Sequence, residues 1–183
     1  MNYILPKSIS LADILTSIRI IVCIPILATL IYQNLLLTWI LIILAGITDV
    51  LDGYFARKKG NGTVFGAKLD PLADKLVIFT VFLWLNQQSI IPFWSLWIIV
   101  TRELLITESR STNNIGQPAS NSAKLKTLLQ FTSIVFLLFP FKLPVLISDI
   151  VFDFGLTAYW ISLTLSIYSA FKYSSSKIKY YLK

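Results

Sequence analysis

Apolar residues gather in six stretches along the chain, at residues 14–32, 35–56, 69–85, 91–107, 125–141 and 154–173. A helix needs about 20 residues to cross the hydrocarbon of a bilayer. Several of these stretches reach that length only when their charged ends are counted, which places those ends near the membrane surface or along a polar cavity. The pattern predicts an all-α integral membrane protein with six transmembrane helices. Residues 1–11 are short and mildly apolar and are expected to lie along the membrane surface. Residues 111–122, rich in Asn, Ser and Gly, read as a loop. Residues 143–153, with Pro144, Asp149 and Asp153, read as a loop or short interfacial helix before the last crossing. With no internal repeat, one domain is expected over residues 1–183.

Composition supports lipid as the solvent. The chain is 56% hydrophobic and 14% charged, whereas a soluble domain carries roughly 25% charged residues. The N-terminal apolar run is interrupted by Arg19 and Pro25 and is followed by no A-x-A-like site. It therefore reads as a retained first helix rather than a cleaved signal. The net charge is +7, but the basic residues sit in short segments between apolar runs. That suits lipid headgroups or a phosphorylated substrate and argues against nucleic acid.

The basic residues also set an orientation. Lys7, the 57–68 loop, the 108–124 connection and the C-terminal tail carry most of them, while the turns at 33–34 and 86–90 carry none. The positive-inside rule places both termini and those two connections in the cytoplasm, with a polar cavity facing that side. A bacterial cytoplasmic (inner) membrane is the expected location. No His is present, so a general base must be a carboxylate or another group. The single Cys23 has no partner in the chain for a disulfide.

The chemistry concentrates in four of the nine acidic residues. Asp49 and Asp52 are three apart, and Asp70 and Asp74 are four apart, so each pair shares a helix face. If the two helices are antiparallel neighbours, the four carboxylates converge and raise one another's pKa unless positive charge compensates. Lys and Arg can supply that charge. Carboxylate oxygens also suit Mg²⁺ or Mn²⁺, and two such ions about 4 Å apart form a clamp for displacement at phosphorus. Gly53, Ala56 and Gly66 accompany the acids, either to admit a ligand close to the backbone or to pack helices closely. An ion or proton transporter is the alternative use of intramembrane carboxylates.

The run Asp49-Val-Leu-Asp52-Gly53-Tyr-Phe-Ala56-Arg57, then eight residues, then Gly66-Ala-Lys-Leu-Asp70-Pro-Leu-Ala-Asp74 resembles the signature of the CDP-alcohol phosphatidyltransferase family, D-x-x-D-G-x-x-A-R followed by G-x-x-x-D-x-x-x-D. All eight fixed positions match. The resemblance implies phosphatidyl transfer from CDP-diacylglycerol to an alcohol with release of CMP, two divalent cations, and a homodimer. It implies metal ligation by Asp49, Asp52, Asp70 and Asp74, with Asp74 also the general base. It further implies that Asp49, Gly53, Ala56, Arg57 and Gly66 line the CDP part of the donor. A transporter has no need of a nucleotide-shaped site.

Three further segments resemble the branch of that family acting on sn-glycerol 3-phosphate: Leu15-Thr16-Ser17-Ile18-Arg19, Arg102-Glu103-Leu104 with Arg110, and Ala119-Ser120 through Lys124, Lys126, Thr127 and Gln130. Asp13 and Ala123 stand where that branch carries Asn and Gly. Arg102, Arg110, Lys124 and Lys126 form a basic set suited to an acceptor phosphate. Glu103 is an alternative partner for Arg102, and cytoplasmic cations are common without any ligand.

Overall fold

The computed structural model describes the backbone of residues 11–59, 64–112 and 121–181, and the side-chain surroundings of residues 18, 20–48, 75–106 and 125–171. Six helices account for almost all of it: α1 (Leu11–Ile31), α2 (Leu35–Lys59), α3 (Val64–Gln87), α4 (Phe93–Thr112), α5 (Asn121–Leu137) and α6 (Val145–Tyr181). The expected interfacial segment at 1–11 lies almost entirely outside the described residues. The chain forms two compact units, Met1–Thr80 and Val81–Lys183.

In the first unit α1 packs on α2. The turn between them is closed without glycine. Gln33 has φ 54°, and its N–H donates to Leu30 O while that of Asn34 donates to Thr29 O. This is the two-bond pattern that ends a helix through a left-handed residue. Asn34 then caps α2, its Oδ1 accepting from Leu37 N–H at 3.2 Å. Thr38 Oγ1 donates across to Thr29 Oγ1 at 2.9 Å. The turn after α3 repeats the device at Ser89 (φ 59°), with Ser89 N–H on Asn86 O and Ile90 N–H on Leu85 O.

In the second unit α6 packs on α5 along most of their shared length and on α4. The buried face of α6 reads Gly155, Ala158, Tyr159, Ser162, Leu163, Ser166, a helical stripe of mostly small residues. α5 presents Lys126, Gln130, Ser133, Ile134 and Leu137 as its buried face. Tyr159 ties three helices together. Its ring meets Phe82 of α3 edge-on at 5.1 Å, and its hydroxyl lies 2.6 Å from Ser95 Oγ of α4.

The distribution of side chains is that of a protein in lipid. Large apolar residues face outward, Ile24 at 69% and Phe171 at 76% exposure, while Arg, Glu, Lys, Gln and Ser are buried. In water so much exposed apolar surface would drive association. In lipid it is the solvated face, and close helix contact falls to small and polar residues. Among the described residues one helix is long and apolar enough to cross a membrane, over Val145–Phe171. The apolar parts of α1, α2, α3 and α5 are shorter.

The last helix corrects the expectation for residues 143–153. Residues 145–153 are helical, but as the first turns of α6, which begins at Val145, rather than as a loop or a separate short helix. Pro144 supplies the start, its carbonyl accepting from Ile147 N–H at 2.9 Å and Ser148 N–H at 3.0 Å. Asp149 and Asp153 are exposed, so the helix carries them without burying charge. The loops expected at 57–68 and 111–122 also contract, because α2 and α3 run to Lys59 and from Val64, and α4 and α5 to Thr112 and from Asn121.

Gly155 marks the closest approach of α6 to α5. A Cβ built there would lie 2.9 Å from Leu137 Cγ and 3.0 Å from Leu137 N. Gly155→Val should therefore destabilise the protein by about 1–3 kcal/mol through overpacking. Gly155→Ala should lose less, since alanine regains up to about 1 kcal/mol of helix propensity. Thermal unfolding of detergent-solubilised protein checks both.

Candidate active site

Asp49 and Asp52 fall in the C-terminal part of α2, and Asp70 and Asp74 in the N-terminal part of α3. The helices are continuous through both motifs, so each pair stands one turn apart along its helix, as the spacing requires. Gly53, Ala56 and Arg57 lie on the same stretch of α2, and Gly66 opens α3. The side-chain surroundings of all eight signature positions, and hence the expected convergence of the carboxylates, lie outside the described residues. Arg110 is in the last turns of α4, a position a cation favours because helix C-termini carry partial negative charge. Lys124 is in the first turn of α5. Both had been expected in the loop, and their side chains too lie outside the described residues.

Arg102 and Lys126 are brought together inside the second unit, on Glu103. Arg102 Nη1 donates to Glu103 Oε1 at 2.9 Å. Lys126 Nζ pairs with the same oxygen. The other arm of the guanidinium donates to Ser169 Oγ of α6. All three charged residues are buried, Arg102 at 8%, Glu103 at 4% and Lys126 at 1% exposure. Among the described residues, three helices thus meet on an ionic cluster of Arg102, Lys126 and Glu103.

Burial makes the composition of this cluster consequential. Removing one partner of a buried pair costs about 3–5 kcal/mol, because the charge left behind has no water to turn to. An intact pair adds little net stability over apolar residues of the same volume. The cluster is therefore better understood as placing charge than as holding the fold.

Gln130 lies one turn beyond Lys126 on the buried face of α5. Its Nε2 is buried and has no hydrogen-bond partner among the described residues. Beside the cluster, a cleft of about 460 Å³ opens between α4 and α6, lined by Ile98, Arg102, Ile167, Ala170 and Phe171. Among the described residues no group of three or more metal-ligating side chains occurs. The cation cluster thus belongs to the second unit and the four aspartates to the first.

Sequence reasoning named Glu103 as an alternative partner for Arg102, and the two do pair; what it missed is that Lys126 joins the same carboxylate. The available signal was energetic. A carboxylate in an apolar helix needs a cationic partner, and an adjacent Arg leaves room on the carboxylate for a second one.

A family model described as CDP-alcohol phosphatidyltransferase matches residues 9–168. A Rickettsia bellii protein named CDP-diacylglycerol–glycerol-3-phosphate 3-phosphatidyltransferase is 33% identical over 180 residues, covering 94% of this chain and 97% of that one. A Bacillus subtilis protein of the same name is 35% identical over 143 residues, 74% of this chain and 70% of its own. The Rickettsia prowazekii counterpart is 35% identical over 172 residues, 90% and 93% of the two chains.

Proposed function

The chain belongs to the CDP-alcohol phosphatidyltransferase family, whose members are transferases that use divalent metal ions, and from that premise we propose that it moves the phosphatidyl group of CDP-diacylglycerol onto sn-glycerol 3-phosphate. The products are phosphatidylglycerophosphate and CMP. One observation carries the choice of acceptor: the chain aligns over nearly its whole length with relatives named for glycerol 3-phosphate. The buried pair of cations on Glu103 supports it, because a phosphate-bearing acceptor needs fixed positive charge and a neutral amino alcohol does not.

In the reaction the acceptor hydroxyl oxygen forms a bond to the β-phosphorus of the donor. The bond from that phosphorus to the bridging oxygen breaks, and CMP leaves with the electron pair. Asp74 takes the hydroxyl proton. The donor set on α2 and α3 consists of carboxylates alone, spaced one turn apart on each helix, and it fits two hard cations, Mg²⁺ or Mn²⁺. When bound by Asp49, Asp52, Asp70 and Asp74, these ions neutralise the pyrophosphate and the departing CMP. Asp49, Gly53, Ala56, Arg57 and Gly66 form the nucleotide cradle, the small residues admitting the cytidine diphosphate close to the helix backbone. Arg102, Arg110, Lys124 and Lys126 receive the acceptor phosphate.

The same reading treats residues 1–183 as one catalytic domain with six crossings. Both termini and the polar cavity face the cytoplasm of a bacterial inner membrane, an orientation supported by the loop charges. The working form is a homodimer with lipids as its surroundings and no nucleic acid partner.

Purified protein given CDP-diacylglycerol, Mg²⁺ or Mn²⁺ and radiolabelled sn-glycerol 3-phosphate should yield labelled lipid, and Asp70→Ala should abolish it. No labelled lipid, with CDP still bound, would move the acceptor to inositol phosphate, phosphatidylglycerol or serine. Asp74→Asn should reduce turnover by at least about 100-fold, the lower range for loss of a general base, with thermal stability retained. A rate near wild type would remove Asp74 from that role. Lys124→Ala should raise the acceptor KM roughly tenfold, the equivalent of one charge-assisted hydrogen bond, and leave the donor KM in place. An unchanged acceptor KM would take Lys124 out of the phosphate site.

A further inference from the structure

We infer that Glu103 is a positioning residue for the acceptor: it holds the Lys126 ammonium and the Arg102 guanidinium together, from two different helices, so that a phosphate meets a preassembled pair. The inference rests on the reading that these two cations serve an acceptor phosphate. Its geometric basis is the shared oxygen. Glu103 Oε1 takes Arg102 Nη1 at 2.9 Å and pairs with Lys126 Nζ; all three side chains are buried, and Arg102 lines the cleft between α4 and α6.

Two buried cations brought together by folding repel each other, and each is attached to a long, rotamer-rich stem. Left to themselves they would separate. One carboxylate between them cancels half of their charge and fixes both stems before any ligand arrives. Ser169 of α6 fixes the guanidinium from its other side. Among these three groups the cations outnumber the carboxylate two to one. Ordering charged side chains in advance removes a penalty that binding would otherwise carry. A second buried donor, Gln130 Nε2, lies one turn along α5 from Lys126. It extends the polar face beyond what pairing with Glu103 alone requires.

The test is a cycle of four full-length proteins in detergent or liposomes: wild type, Glu103→Gln, Lys126→Met and the double variant. Each is assayed for acceptor KM, donor KM, kcat and melting temperature. Glu103→Gln should raise the acceptor KM roughly tenfold, the scale of losing one to two preordered side chains. The donor KM should hold, and kcat should fall by less than the acceptor KM rises. Because Glu103 acts through Lys126 and Arg102 together, the double variant should show an acceptor KM rise smaller than the product of the two single effects. A lower melting temperature for Glu103→Gln with an acceptor KM within about twofold of wild type, a rise below the tenfold scale of lost ordering, would make Glu103 structural only and overturn the inference. So would multiplied KM effects in the double variant, or a donor KM that rises in parallel. If Glu103→Gln does not fold, Lys126→Met against the double variant decides the matter: a further rise in acceptor KM below about tenfold supports the inference, and a further rise of about tenfold or more overturns it. Wild-type protein that transfers nothing to sn-glycerol 3-phosphate would sink the acceptor reading and this inference with it. Wild-type transfer with an unresponsive Glu103 variant would sink the inference alone.

Discussion

Lipid offers no hydrogen bonds and little shelter for charge, so every polar group inside the membrane must find its partner within the protein. That constraint shapes the molecule at each level. Helices satisfy their own backbones. Where α1 and α3 end, the released carbonyls are recaptured by left-handed turns at Gln33 and Ser89. Hydroxyls are absorbed locally: Ser162 donates to Tyr159 O, Ser166 to Ser162 O and Ser133 to Gln130 O. What cannot be satisfied on one helix is shared between helices, as with Ser95 and Tyr159, and with the three charged groups around Glu103.

The same constraint inverts the usual logic of a core. Apolar contact is available everywhere in lipid, so it does not choose which helix faces which. Small residues and paired polar groups make that choice. The α5–α6 contact shows it directly, with Gly155, Ala158, Ser162 and Ser166 on one face and Ser133, Gln130 and Lys126 on the other. A catalytic membrane protein can then place charged residues in its interior without building a separate soluble domain, provided that each charge is matched. Carboxylates in the first unit are matched by metal ions in the proposed reaction, and cations in the second are matched in part by Glu103.

Much of this was legible in the residue pattern, because helices in lipid must be apolar over long runs. The six stretches correspond to six helices. The eight-position signature lies on α2 and α3, helices that the same pattern predicted. Boundaries were less legible. Charged residues such as Lys59, Arg110 and Lys124 continue their helices where hydropathy alone stops. Pro144 with two nearby aspartates looks like a break, yet its carbonyl starts α6. The joining of Arg102 and Lys126 through Glu103 was hidden for another reason: the partners lie on separate helices with a loop between, and no spacing rule links them.

α6 runs 37 residues without interruption, about 55 Å at 1.5 Å per residue, against roughly 30 Å of hydrocarbon. Its register is pinned near one end, where Gly155 abuts Leu137, and its Ser169 grips Arg102 about 21 Å further along. The helix is therefore a ruler. It meters the depth of the ionic cluster from a fixed mark of bare backbone, and one residue inserted between the two points would swing Ser169 about 100° off the guanidinium. The length of that segment, more than the identity of most residues in it, sets where in the membrane the charge sits.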